Sequence, residues 1–195
     1  MKSVLLTSAA ALVVAAAVAA SAISAPAPAP SIAAIPERAS NFQLTDTNRL
    51  AHELHYFKDA SAIVLMSQIN GGKTSREAAA QLARLQTQYK AQGVLFYAIN
   101  SKDERDAAAA ESTAQKFAFP VLMDELQLVG EQLGIQREGE IFVVTPKDGF
   151  KVAYHGTAAE AGKAIDAVLA GKPVANPRIE VKAGAAIAFP GSEAK

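Results

Sequence analysis

Cysteine and tryptophan are both missing from this 195-residue chain. Without cysteine there is no disulfide, no thiolate metal ligand, no lipid-bearing cysteine and no thiol nucleophile. Aromatic residues amount to only 6%, so a core must be packed mainly from Leu, Ile, Val and Phe. An excess of one charge is lacking too, because 19 basic residues face 19 acidic ones. A balanced surface offers no strong field to nucleic acid or to an anionic membrane, and neither is expected as a partner. What is plentiful is aliphatic, much of it alanine, within a hydrophobic share of 50%. The length suits one globular domain with terminal extensions, large enough to fold without covalent staples.

The first residues read as an address. Lys2 supplies one positive charge, Val4 to Ala20 is apolar, and small residues then lead to Pro26, Pro28 and Pro30. That is the layout of a secretory signal peptide. Cleavage is expected after Ala22, within Ala20-Ser21-Ala22, leaving Ile23 first. A cut after Ala25 would place Pro26 at the first mature position, which is unfavourable. The alternative is an uncleaved anchor, for which the apolar run lies near the lower limit of a membrane span. Residues 23–40 read as an Ala/Pro-rich extended spacer. The domain proper is expected over 41–171, with an irregular tail over 172–195. The mature protein is expected in the periplasm, free of the membrane.

Helix starts are marked by capping chemistry. Thr74 with Glu77, Ser101 with Glu104 and Thr157 with Glu160 each form a capping-box pattern, and Asp124 with Gln127 a weaker one. Gly93, Gly134 and Gly171 stand where left-handed C-terminal residues belong. The spacing predicts helices over 75–92, 102–117, 125–133 and 158–170, the first with an apolar stripe of Leu82, Leu85 and Tyr89. Strands are predicted at Phe42–Leu44, at the apolar runs Ala62–Met66 and Val94–Ile99, at Pro120–Met123, and at Glu140–Thr145 and Phe150–His155 around a Pro-Lys-Asp-Gly turn. Strand–helix–strand crossovers followed by a hairpin imply an α/β fold: a three-layer α/β/α sandwich with a mixed parallel and antiparallel sheet.

Two local patterns suggest chemistry. Gly71-Gly72-Lys73-Thr74 between a strand and a helix resembles the end of a phosphate loop, but the first glycine of that motif is replaced by Ser67. Weak anion binding at the helix start is one reading left to it, and a flexible glycine loop with no ligand is the other. His52 and His55 lie three apart and would share a metal only on a helical turn. No further ligand is evident, and neither metal nor cofactor is expected.

Five phrases, in order, resemble one family. They are Phe42-Gln43-Leu44-Thr45-Asp46, then Gly93 to Asn100 (GVLFYAIN), then Phe119-Pro120-Val121-Leu122-Met123-Asp124. Ile141-Phe142-Val143-Val144 with Pro146 and Asp148-Gly149 follow, and Tyr154-His155-Gly156 closes the series. Together they are similar to the thioredoxin-like superfamily, in its alkyl hydroperoxide reductase / thiol-specific antioxidant (redoxin) branch, over about residues 41–170. The resemblance implies a reactive cysteine in the loop after the first core strand, activated at a helix N-terminus. Here that loop contains Asn70, Gly71, Gly72, Lys73 and Thr74, and Gly71 stands at the cysteine position. The family also carries a proline, usually cis, before the hairpin, and Gly139 stands there. Gly184-Ala185 occupies the place of a further Gly-Cys found in some members.

A degenerate site follows, with no catalytic residue. Gly71, Gly72 and Gly139 are expected to leave an open groove, and the Gly71–Thr74 loop is expected to be the most exposed and mobile part of the sheet's C-terminal edge. The function expected is a non-catalytic binding or accessory domain for a protein or peptide partner. The alternative is a redoxin-like oxidoreductase that works only through a partner's thiols.

Overall fold

The computed structural model describes residues 34–190. The expected leader at 1–22, residues 23–33 of the spacer and residues 191–195 lie outside the described residues. In chain order the elements are β1 (Gln43–Asp46), β2 (Ala51–Glu53), β3 (Ala62–Gln68), α1 (Lys73–Tyr89), β4 (Val94–Asn100), α2 (Arg105–Ala114), β5 (Val121–Met123), α3 (Leu128–Leu133), β6 (Ile141–Thr145), β7 (Lys151–Gly156) and α4 (Ala158–Leu169). They form a seven-stranded sheet in the order β2-β1-β5-β4-β3-β6-β7. The β3, β4 and β5 strands are mutually parallel, while β1, β2, β6 and β7 join antiparallel. This is the mixed α/β sandwich that the order of motifs implies.

The apolar runs become central strands because both faces of the sheet are covered. In β3, Ala62, Val64 and Met66 point into a cluster with Ala78, Ala79 and Leu82 of α1, Ala108 of α2, and Ala161, Ala164 and Ile165 of α4. Ile63 and Leu65 point the other way, toward Val129 and Leu133 of α3. Each fully buried Leu or Ile of this kind contributes about 1.5–3 kcal/mol. Alanine at the α1–α4 contact lets the two helices approach closely. Their far ends are tied by the Tyr89 hydroxyl, 2.6 Å from Asp166 Oδ1. Burial, aided by that carboxylate, pushes the Tyr89 hydroxyl up to about 12.

The glycine stops hold: Gly93, Gly134 and Gly171 all adopt positive φ. The capping boxes do not. The α1 helix starts at Lys73, with Gly72 as its N-cap and no side-chain cap bond. The Ser101 hydroxyl turns to Asp124 Oδ2 at 2.8 Å, and α2 begins only at Arg105. Asp124 does accept helix N–H groups, from Val129 and Gly130, but α3 begins at Leu128 rather than 125. Thr157 is the N-cap of α4 without a side-chain bond. At Ser101, and at the start of α1 where Glu138 accepts the Ser75 N–H, a partner distant in sequence takes the place of the local cap. The β2 strand also went unforeseen. It forms because Asp46 Oδ1 accepts the Asn48 and Leu50 N–H groups and turns the chain back on β1.

Both terminal extensions are drawn into the fold. Arg38 bridges Lys151 antiparallel, and Glu37 O accepts the Val152 N–H at 2.8 Å. On the tail side, Pro177 O accepts the His155 N–H at 2.9 Å and Ile179 donates to His155 O at 2.9 Å. The edge strand β7 is thus sheathed from both ends of the chain, which removes a template for edge-to-edge association. Residues 37–39 therefore belong to the ordered unit rather than to a free spacer.

Candidate degenerate active site

The β3 and β4 strands end side by side, with Gln68 in register with Asn100. Both side chains are buried, so their amides must find partners. Asn100 Nδ2 donates to Gln68 Oε1 at 2.7 Å and to Asp103 Oδ2 at 3.0 Å. Gln68 Nε2 donates to Asn70 Oδ1 at 3.2 Å. This polar floor carries the loop that leads into α1.

Several N–H groups of the loop and of the first helical turn are engaged by side chains. Asn70 donates to Asp103 Oδ2 at 2.7 Å, and Gly71 to Glu111 Oε1 at 3.2 Å. Ile69 donates to Ser75 Oγ at 3.1 Å, and Ser75 donates to Glu138 Oε2 at 2.9 Å. Three carboxylates of this chain thus take the donors and the helix dipole that would otherwise attract an external anion. The donors of residues 70, 71 and 75 are thus taken from within the chain. Lys73 projects into solvent, 83% exposed, with Glu77 at 3.8 Å.

Glu138 is the residue that the sequence reading missed. Its carboxylate lies where a side chain on Gly72 would go: a Cβ at Gly72 would be 1.8 Å from Glu138 Oε2. Its Oε1 accepts the Ala185 N–H at 3.1 Å, and its own N–H donates to Ala185 O at 3.0 Å. Ile187 N–H donates to Gln136 O at 2.8 Å, and Arg137 bridges Ala186 antiparallel. The tail thereby lies antiparallel along residues 136–138, joined by a single β-bridge and its flanking backbone hydrogen bonds. Gly139, at φ +78, packs against Thr74, with a hypothetical Cβ 2.7 Å from Thr74 Cγ2.

The expected open groove is therefore closed. Gly71 alone faces open space, whereas Gly72 and Gly139 are buried beneath Glu138 and Thr74. The loop is tethered through the N–H groups of residues 69, 70, 71 and 75. The only sequence signal was the pair of acids around Gly139, and no periodicity singles them out. Glu140 uses its carboxylate locally, accepting the Gln136 and Arg137 N–H groups.

Burial alone would raise the Glu138 carboxyl. The N–H of Ala185, the hydroxyl and N–H of Ser75, and the Arg76 charge outweigh that and hold it below its ordinary 4.5. A lowered carboxyl contributes stability above its unfolded value, and that contribution is lost as pH falls through the folded one. Glu138→Gln is expected to cost about 1–3 kcal/mol at neutral pH. The gap between variant and wild type in urea unfolding should shrink on acidification below about pH 4.5. A gap that stays constant down to strong acid would remove the charge from the account.

The histidines stand apart. His52 lies 3.1 Å from Asp46 Oδ2 on the β1–β2 pair, and the His55 ring stacks on Phe150 at 4.2 Å. His155 Nε2 is 3.3 Å from Glu140 Oε2 near the other edge.

The AhpC/TSA family profile matches residues 35–157, more than half of the chain. The chain belongs to the AhpC/TSA family. Among solved structures, a hypothetical protein of Sinorhizobium meliloti 1021 is similar at 27% identity and a TM-score of 0.69, covering 80% of this chain and 94% of that one. An uncharacterized conserved protein of Geobacillus kaustophilus gives 24% and 0.65, covering 80% and 89%. Peroxidoxin BcpB of Mycobacterium tuberculosis gives 19% and 0.59, covering 69% and 94%. The last two likenesses speak to fold alone. A comparison with curated proteins gives no match. This AhpC/TSA member thus keeps the redoxin, thioredoxin-like fold with no cysteine in it.

Proposed function

We propose that this AhpC/TSA chain is an exported, non-catalytic pseudoenzyme that serves as a binding or accessory domain for a protein or peptide partner. The observation that supports this most is the occupied loop. Asp103, Glu111 and Glu138 hold the backbone donors at the start of α1, and no cysteine is present to compete for them. The tail segment Ala185–Ile187, hydrogen-bonded to residues 136 and 138, occupies the backbone edge that a partner's disulfide would need there, which disfavours a role through borrowed thiols. Export rests on the leader motif, and no helix among the described residues is long and apolar enough to cross a membrane.

Two measurements test the reading. Intact mass of the exported protein should correspond to a chain beginning at Ile23, in the soluble fraction. A mass that retains Met1, together with membrane fractionation, would sink the soluble-export half. Affinity purification from a crosslinked periplasmic extract should return one stoichiometric partner. Recovery of the chain alone would argue against the accessory half.

A further inference from the structure

Of the five asparagines in the chain, Asn70 is the one followed by glycine. It lies at the rim of the degenerate site, on the loop that the three carboxylates hold in place. Gly71 has no side chain to shield its nitrogen, and the space beside its Cα is open. The polar groups around this peptide bond are arranged in an informative way. Glu111 Oε1 is 3.2 Å from the Gly71 nitrogen and accepts its proton in a hydrogen bond. The Asn70 side-chain oxygen faces two donors, Gln68 Nε2 at 3.2 Å and Asn100 Nδ2 at 3.4 Å. The Asn70 amide nitrogen donates to no described group.

The geometry points to Asn70-Gly71 as a self-modification site, at which the chain cyclises to a succinimide and deamidates with Glu111 as general base. The Gly71 nitrogen attacks Asn70 Cγ as its proton passes to Glu111, and the new N–Cγ bond forms. Negative charge gathers on Asn70 Oδ1, where Gln68 and Asn100 stabilise it as oxyanion donors do. The Cγ–Nδ2 bond then breaks, and ammonia leaves with the proton from Glu111. Water opens the ring at Cγ to give aspartate, or at the main-chain carbonyl to give isoaspartate. The balance is one water in and one ammonia out, with no oxidant or reductant. The product adds a carboxylate beside Asp103, where like charges repel. The loop that the acids now hold in place then becomes one that they strain. This inference is independent of the accessory role proposed above.

The test is peptide mapping by mass spectrometry of the purified full chain, incubated at neutral pH and compared with a synthetic peptide spanning 66–76. Residue 70 is expected to convert at least as fast in the folded chain as in the peptide, while Asn41, Asn48, Asn100 and Asn176 stay intact. Glu111→Gln keeps an acceptor for the Gly71 N–H but removes the base, and should slow conversion at least about tenfold. The sign discriminates between roles. If Glu111 merely tethers the loop, loosening it leaves the rate unchanged or raises it, and the proposal is overturned. Slower conversion in the folded wild type than in the peptide overturns it as well. Asn70→Asp supplies the chromatographic standard.

Discussion

Purified mature protein, given peroxide or insulin and an external thiol reductant, is expected to turn over neither above the reductant-alone background. Both reactions need a thiolate that attacks oxygen or sulfur. Asn70, Gly71 and Gly72 offer no nucleophile, and the Thr74 and Ser75 hydroxyls are hardly ionised at neutral pH. Methionine can be oxidised, but only once per residue without a separate reductase. Multiple turnovers would overturn the pseudoenzyme reading outright.

Restoring the sulfur should not restore the chemistry. A Gly71→Cys thiol would project into open space, but from a backbone at φ +68 and close to carboxylates on the N–H groups of residues 70, 71 and 75. Those anions already offset the helix terminus, whose dipole would otherwise lower a thiol pKa. The new thiol is expected at or above the ordinary cysteine value of about 8.5. Adding Glu111→Gln and Glu138→Gln should bring it down. Thiolate absorbance against pH reads both. A depressed value in Gly71→Cys alone would mean that the three acids do not control the site.

Phe189→Ala is expected to be the most damaging single change in the tail. Phe189 is 6% exposed and belongs to the core cluster of Val129, Leu133 and Ile187. Its ring covers Gly130 so closely that a Cβ there would lie 2.6 Å away. Truncating a buried phenylalanine leaves a cavity as well as lost apolar contact, at about 3–5 kcal/mol. Against the 5–15 kcal/mol typical of a domain, that is a large share (about a third or more). The urea midpoint should fall with little change in slope. The Ala185 and Ile187 amides should lose exchange protection, because the ring anchors the segment they belong to. Lys182→Ala, on the same tail but solvent-facing, is the control and should be near neutral. A Phe189→Ala midpoint equal to that control would make the tail a dispensable appendage.

Some of this protein was readable from sequence because it rests on local rules. The apolar runs Ala62–Met66 and Val94–Ile99 read directly as central strands, and Gly93, Gly134 and Gly171 as left-handed helix ends. The lack of cysteine excluded a thiol nucleophile outright. Helix starts were less legible. A cap at Ser101 or Thr74 competes with any partner that folding brings near, and Asp124 and Glu138 won. The same holds for the site. Nothing local tells Glu138 to fill the space above Gly72, since it comes from 66 positions later in the chain. Likewise Ala185 pairs with residue 138 only because Ile187 and Phe189 find a hydrophobic seat beside α3. Periodicity records which face of an element is buried. It does not record which distant side chain will meet an exposed N–H, because that choice is made by the packing of the whole chain.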